Sequence, residues 1–272
     1  MACQLASSGP ETEIAQTTVQ ISNTAPTVGT VTPTSPLTLS EYTTVVVTCS
    51  ATVTDVNGWE DVSSSSGVFH LYSVGGGCTP DNADCYVNNS CELSGGSSTT
   101  VTSTCSFTVY WYAQASSDEG NWTCAITAVD SGANSGTNSS NTTVSDLVAL
   151  NITTPIAFGN MIVGQTSAAD VTDTVSNTGN VRFDINVNGT DMTCDSGSIA
   201  VGYIHYNISS GIDYASMTPL TADPGDTAVE FSTNFNLVEG AASSDDTYWK
   251  IQIPTGVLGS CTGTVQFEAI KG

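Results

Sequence analysis

Residues 118–129 read Asp118-Glu119-Gly120-Asn121-Trp122-Thr123-Cys124-Ala125-Ile126-Thr127-Ala128-Val129. From Trp122 to Val129 the residues alternate with the two-residue period of a half-buried strand. The same alternation appears in Thr43 to Thr54, Val68 to Val74, Cys105 to Tyr112, Val229 to Phe235 and Thr264 to Ile270. Clusters of Gly, Asn, Asp, Ser and Pro separate these runs. Ser63 to Gly67, Gly75 to Asn89 and Ser131 to Asn141 therefore read as turns and loops. No window of helical length carries an apolar stripe. The expected fold class is all-β, with strands at the spacing of sandwiches.

The stretch Asp118 to Cys124 resembles the DxGxYxC strand F signature of the immunoglobulin superfamily, with Trp122 where tyrosine is usual. The resemblance covers about residues 25 to 148 and implies that Cys124 bridges to Cys49 in strand B. Such a bridge constrains the unfolded chain by about 4 to 5 kcal/mol in the entropic picture. The chain departs from the family at strand C, whose usual tryptophan is absent, while Trp59 falls in a loop. A second unit opens with Ile156-Ala157-Phe158-Gly159 and continues through Val163-Gly164-Gln165-Thr166-Ser167 to Val175-Ser176-Asn177-Thr178-Gly179-Asn180. That pattern is similar to the immunoglobulin-like repeats of secreted archaeal and bacterial surface proteins. The domains expected are a tail over 1–11, a strand and linker over 12–24, an immunoglobulin-like sandwich over 25–149 and a second sandwich over 150–272. The strand Leu147 to Thr154 at the break either closes the first domain or bridges both.

The chain has 272 residues, enough for two ordinary domains. Three cations (Arg182, Lys250 and Lys271) stand against 26 carboxylates, for a net charge of −23. Nucleic-acid backbone binding and attachment to anionic lipid both need clustered Lys and Arg, so both are excluded. Nine cysteines beside two histidines do not match Cys/His metal spacings. They point to disulfides and an oxidising compartment. Besides Cys49 with Cys124, the favoured pairs are Cys78 with Cys85, Cys91 with Cys105, and Cys194 with Cys261. Cys3 is left over. The chain shows no signal peptide or apolar span and is expected to be a processed or truncated secreted chain, extracellular or at the cell surface.

Residues 12 to 22 carry the functional argument. Ala15, Thr17, Val19 and Ile21 share one face of an extended segment, and Gln16, Thr18 and Gln20 share the other. Ser22-Asn23-Thr24-Ala25-Pro26 closes the run as a turn. The segment reads as the closing strand of a domain that the chain does not contain, and an orphan strand cannot bury its face alone. It either folds back as an edge strand on its own sandwich or inserts into a neighbouring molecule. A head-to-tail contact that does not close makes a filament. Tandem sandwich subunits joined by donated N-terminal strands occur in archaeal and bacterial extracellular filaments, and the resemblance implies a homopolymer here. Type IV pilins need a long apolar helix, and sortase-linked pilins a sorting signal; neither is seen. The rival reading is a monomeric or membrane-tethered adhesin or glycan-binding module using Tyr110, Trp111 and Tyr112. A third, an accessory domain pair of a secreted enzyme, lacks a catalytic unit.

Sequons stand at Asn88, Asn121, Asn138, Asn141, Asn151, Asn188 and Asn207. Asn121 lies inside the strand F signature and is set aside. Covalent glycans on the others would blunt sheet edges and shield a joint from proteases. Asp55, Asn57, Asp61 and Asp130 follow strands B and F, whose ends meet at one end of an immunoglobulin sandwich. Their hard oxygens suit calcium; the Asp55-Val56-Asn57-Gly58 run is also a common tight turn. His70 and His205 lie in alternating runs without a nucleophile motif, and no carboxylate pair stands out, so no catalytic residue is assigned.

Overall fold

A computed structural model describes residues 9, 14–153, 155–222, 228–229 and 243–271. The first sandwich is built from β1 (Thr27–Val28), β2 (Thr32–Pro33), β3 (Thr44–Thr54), β4 (Val62–Leu71), β5 (Cys85–Asn88), β6 (Glu92–Ser97), β7 (Thr100–Tyr110), β8 (Trp122–Asp130) and β9 (Ser135–Thr142). One sheet runs β1-β3-β7-β6, with β2 also on β3, and the other runs β5-β4-β8-β9. This is the strand order of an immunoglobulin sandwich. Alternation explains the layers. Val47, Cys49, Ala51 and Val53 of β3 face inward and are buried, as are Val101, Cys105, Phe107 and Val109 of β7, while Val46 points to solvent. From the opposite sheet β8 contributes Trp122, Cys124, Ile126 and Ala128. The Trp122 ring stacks on Phe69 of β4 with centroids 4.7 Å apart.

Three stretches expected as loops contain strands. Ser63 to Gly67 lies within β4, where the buried Ser65 hydroxyl bonds Ser103 Oγ at 2.7 Å and donates to the Thr127 carbonyl. Mutual pairing lets hydroxyls occupy a core that apolar periodicity does not announce. Gly67 sits there because a Cβ would come within 2.6 Å of Cys105 Sγ. Gly75 to Asn89 contains β5, and Ser131 to Asn141 contains most of β9. The polar β9 is an edge strand, mostly exposed, held by a continuous ladder from Trp122↔Thr142 to Val129↔Ser135.

The second sandwich contains β10 (Leu150–Ile152), β11 (Val171–Asn177), β12 (Phe183–Gly189), β13 (Met192–Ser196), β14 (Ser198–Ile199), β15 (Ile204–Asn207), β16 (Thr218–Pro219), β17 (Ala228–Val229), β18 (Ser243–Ile251), β19 (Leu258–Thr262) and β20 (Val265–Lys271). Its sheets run β10-β11-β18-β15-β16, β17-β12-β20 and β14-β13-β19. Phe183, Ile185, Ile199, Leu220, Trp249 and Ile251 are among its buried core. Of the run expected over Val229 to Phe235, only Val229 is among the described residues, in β17.

Leu150 to Ile152 pairs with β11 in the second sandwich, while Leu147 just before it packs against the core of the first. The joint itself is polar. Buried Asn180 accepts the Leu147 amide at 2.7 Å and donates from Nδ2 to the carbonyls of Ala113 at 2.8 Å and Ser145 at 3.1 Å. Gly179 leaves room for the Leu147 carbonyl, which a side chain would strike. Beside it, Lys271 Nζ pairs with Asp146 at 2.7 Å and Asp118 at 3.3 Å. The Lys271 contact holds Asp146 below its ordinary carboxylate value.

Candidate functional site: an open segment, a cleft and a carboxylate cluster

Residues 14–26 form no strand with any described part of their own chain. The alternative in which this segment folds back as an edge strand on its own sandwich is therefore not what the structure adopts. Ile14, Val19 and Ile21 are 88%, 84% and 82% exposed, and Ala15 and Thr17 are exposed with them. The chain turns into β1 through Ser22, Asn23 and Thr24, where Asn57 accepts the Thr24 amide at 2.9 Å and donates to the Ser22 carbonyl at 3.4 Å. Residues 10–13 and Cys3 lie outside the described residues.

In the second sandwich, a cleft of about 690 Å³ opens between residues 155–163 and β19. Ile156, Phe158, Met161, Met192, Ile253 and Val257 are among its apolar lining. β19 is an edge: it pairs with β13 and, among the described residues, with no strand on its other side. Leu258 at its start is 74% exposed. A strand edge without a strand partner, beside an apolar trough, is the geometry that accepts an added strand.

All four expected cysteine pairs are bridged. Cys49–Cys124 joins the two sheets of the first sandwich, and Cys91–Cys105 ties the start of β6 to β7. Cys194–Cys261 locks β13 to β19. Four disulfides belong to a protein of an oxidising compartment, extracellular or at a surface. No helix among the described residues is long and apolar enough to cross a membrane.

Three of the four expected calcium residues converge. One carboxylate oxygen from each of Asp55, Asp61 and Asp130 lies within 4.8 Å of the others. Asn57 does not join them: its side chain is turned toward Ser22 and Thr24. Periodicity had no signal for Asn134, which holds Asp130 with its amide at 2.8 Å and its Nδ2 at 2.9 Å.

The sequons differ in access. Asn188 is only 8% exposed on β12, closed to a glycan in the folded chain, because its strand is buried on both faces. Asn138 is exposed on β9, but its Nδ2 is bonded to the carbonyls of Val28 and Gly29. Asn88 donates to the Ser106 carbonyl, and the Oδ1 of Asn207 accepts the Ser209 amide. Asn141 and Asn151 are exposed. His70 and His205 each bond a backbone carbonyl, of Leu71 and Tyr214, at 2.8 Å. Trp111 and Tyr112 are buried with Ala83, and the partly buried Tyr110 and Leu147 pack against them.

A tight turn before β5 contains two neighbouring acids, Asp81 and Asp84. Asp81 accepts the amides of Ala83, Asp84 and Cys85 at 2.9, 3.0 and 3.1 Å. Burial pushes the Asp84 carboxyl up to about 6, with the Asp81 hydrogen bond and charge adding to it. Burial also works to raise Asp81, but the donors around it hold it below its ordinary value.

No protein-family model and no curated protein matches the chain. Among solved structures, the C-terminal domain of the Streptococcus agalactiae AgI/II polypeptide BspA is 12% identical, with 90% of this chain and 98% of that one covered and a TM-score of 0.24. Red sea bream transglutaminase is 10% identical at a TM-score of 0.25, and activated Escherichia coli alpha-2-macroglobulin 10% at 0.26. The match covers 90% of this chain in both cases, but only 29% and 22% of those proteins. At such scores the likenesses carry no functional argument.

Proposed function

We propose that the protein is a structural subunit of an extracellular filament, joined head to tail by its N-terminal segment. Residues 14–21 of one copy add as a strand to the open edge of β19 in the next, and Val19 and Ile21 enter the cleft beside it. The observation that carries this reading is the unpaired N-terminal segment, whose Val19 and Ile21 are more than four-fifths exposed. Burying each such side chain contributes about 1.5 to 3 kcal/mol, and the ladder adds direction and register. Donor and acceptor lie on different surfaces of the subunit, so the contact is heterologous and propagates unless its rotation closes a ring.

The disulfides and the scarcity of Lys and Arg, which denies trypsin-like proteases their cleavage sites, suit such a role outside the cell. Glycans at Asn141 and Asn151 would add to that protection. Electron microscopy of the native material and of a chain lacking residues 1–24 tests the assembly. Filaments from the full chain and folded, discrete particles from the truncated one are expected. Filaments of unchanged length and abundance without residues 1–24 would refute strand donation.

A further inference from the structure

Asp55, Asp61 and Asp130 place three carboxylates together, and two of their oxygens, Asp55 Oδ2 and Asp61 Oδ2, are buried without a hydrogen-bond partner. Asp55 is fully buried and Asp130 is 2% exposed. Buried carboxylates this close need a compensating positive charge. The chain's own cations do not supply it. It has three Lys and Arg in all, and Arg182 pairs with Glu119, Lys250 with Asp170, and Lys271 with Asp146 and Asp118. The two histidines are bonded elsewhere, to the carbonyls of Leu71 and Tyr214.

The other donors around the cluster orient it rather than neutralise it. The Asn57 amide bonds Asp55 Oδ1 at 2.8 Å and leaves Oδ2 free. Ser131 donates its hydroxyl to Asp61 Oδ1, again leaving Oδ2 free. Asn134 holds both oxygens of Asp130 from one side. Each carboxylate is thus fixed by a neutral donor from its own rim, as outer partners fix the ligands of a metal site.

We propose that Asp55, Asp61 and Asp130 bind a calcium ion at the end of the first sandwich where the N-terminal segment departs. Oxygen-only ligands from converging loops suit calcium, which takes six to eight oxygens in flexible geometry, with water completing the shell. The ion also reaches the segment's root. The loop that carries Asp55 and Asp61 carries Asn57, which grips Ser22 and Thr24, so calcium stiffens the point from which residues 14–21 extend. The binding site does not depend on filament formation, and its test uses the single chain.

The experiment is calorimetric titration of calcium into the full chain stripped with a chelator, with thermal unfolding and hydrogen exchange alongside. One site is expected, with a dissociation constant of about 10⁻⁴ to 10⁻³ M, the range of extracellular modules, and weaker binding of magnesium. Calcium should raise the melting temperature and slow exchange at the Thr24 amide. Asp61→Asn, which keeps the shape and removes a charge, should be at least as stable as the parent in chelator and lose the calcium response. Asn134→Ala should weaken binding by about 10- to 100-fold. Absence of binding at about 10 mM calcium, an order above that range, would overturn the proposal. An undiminished response in Asp61→Asn would do the same, since the ion would then sit elsewhere among the carboxylates.

Discussion

Trp122 makes the kind of contact that a tyrosine makes in immunoglobulin sandwiches. A strand F tyrosine two residues before the cysteine sends its hydroxyl back to upstream backbone; here the indole Nε1 of Trp122 donates to the Gln114 carbonyl at 2.9 Å. The larger ring also stacks on Phe69 of β4, which lies opposite Cys124, and approaches Tyr86. Trp122→Ala should therefore cost about 3 to 5 kcal/mol, read as a lower midpoint in denaturant unfolding of the oxidised chain. Asp84 supports a pH prediction. Its folded value, about 6, lies above its ordinary value of 3.8. The stability it contributes is complete below 3.8 and is lost as pH rises through about 6, when a second charge appears beside Asp81. Asp84→Asn should remove this slope between pH 4 and 6, measured by hydrogen exchange of the Cys78–Cys85 loop; an unchanged slope would dismiss the pair as its source.

At the scale of elements, strands differ in how plainly they declare themselves. β3 and β8 alternate cleanly because one face meets the core, and they extend over Thr44–Thr54 and Trp122–Asp130, within a residue of the alternating runs. β9 and the first half of β4 are Ser, Thr, Asn and Gly, residues that favour turns in isolation. Ladder bonds and paired hydroxyls decided their conformation instead. The N-terminal segment presents the opposite case, a clear alternation with no strand to pair with in its own chain. Val19→Asp combined with Ile21→Asp should abolish filaments while leaving the melting temperature of the single chain unchanged, because both residues are exposed there. Gln16→Asp with Gln20→Asp, on the other face, should still assemble. Equal loss in both pairs, seen by electron microscopy, would argue against an inward face made by Val19 and Ile21.

For the whole molecule, the joint between sandwiches sets how the two ends of the chain are oriented. Asn180 satisfies three backbone groups from the end of the first sandwich, and Lys271 from the last strand reaches Asp146 and Asp118 across the same joint. Asn180→Ala leaves those groups unpaired, at about 1 to 3 kcal/mol for each that stays buried. The domains should then move relative to each other while each keeps its core. Small-angle scattering should report a larger radius of gyration, and unfolding should separate into two transitions; a single unchanged transition would show that the joint is held by other contacts. Acid should loosen the Lys271 contact too. Asp146 titrates below its ordinary value in the folded chain, so its stabilising pairing is present above 3.8 and disappears as pH falls through that lower value.

Sequence alone determined the all-β class and the expectation of two sandwiches, because alternation is a local record of which side faces a core; the cysteine pairs were only favoured by it, and the fold brought the partners together. Sequence also singled out Asn177-Thr178-Gly179-Asn180 and the acids after strands B and F. Tertiary structure alone decided what those residues touch. It made Asn180 the clasp of the interdomain joint, turned Asn57 from the carboxylates to the N-terminal root, and set a free β19 edge beside an apolar cleft. These are contacts between residues far apart in the chain, and periodicity holds no information about them. Sheet order and loop convergence do.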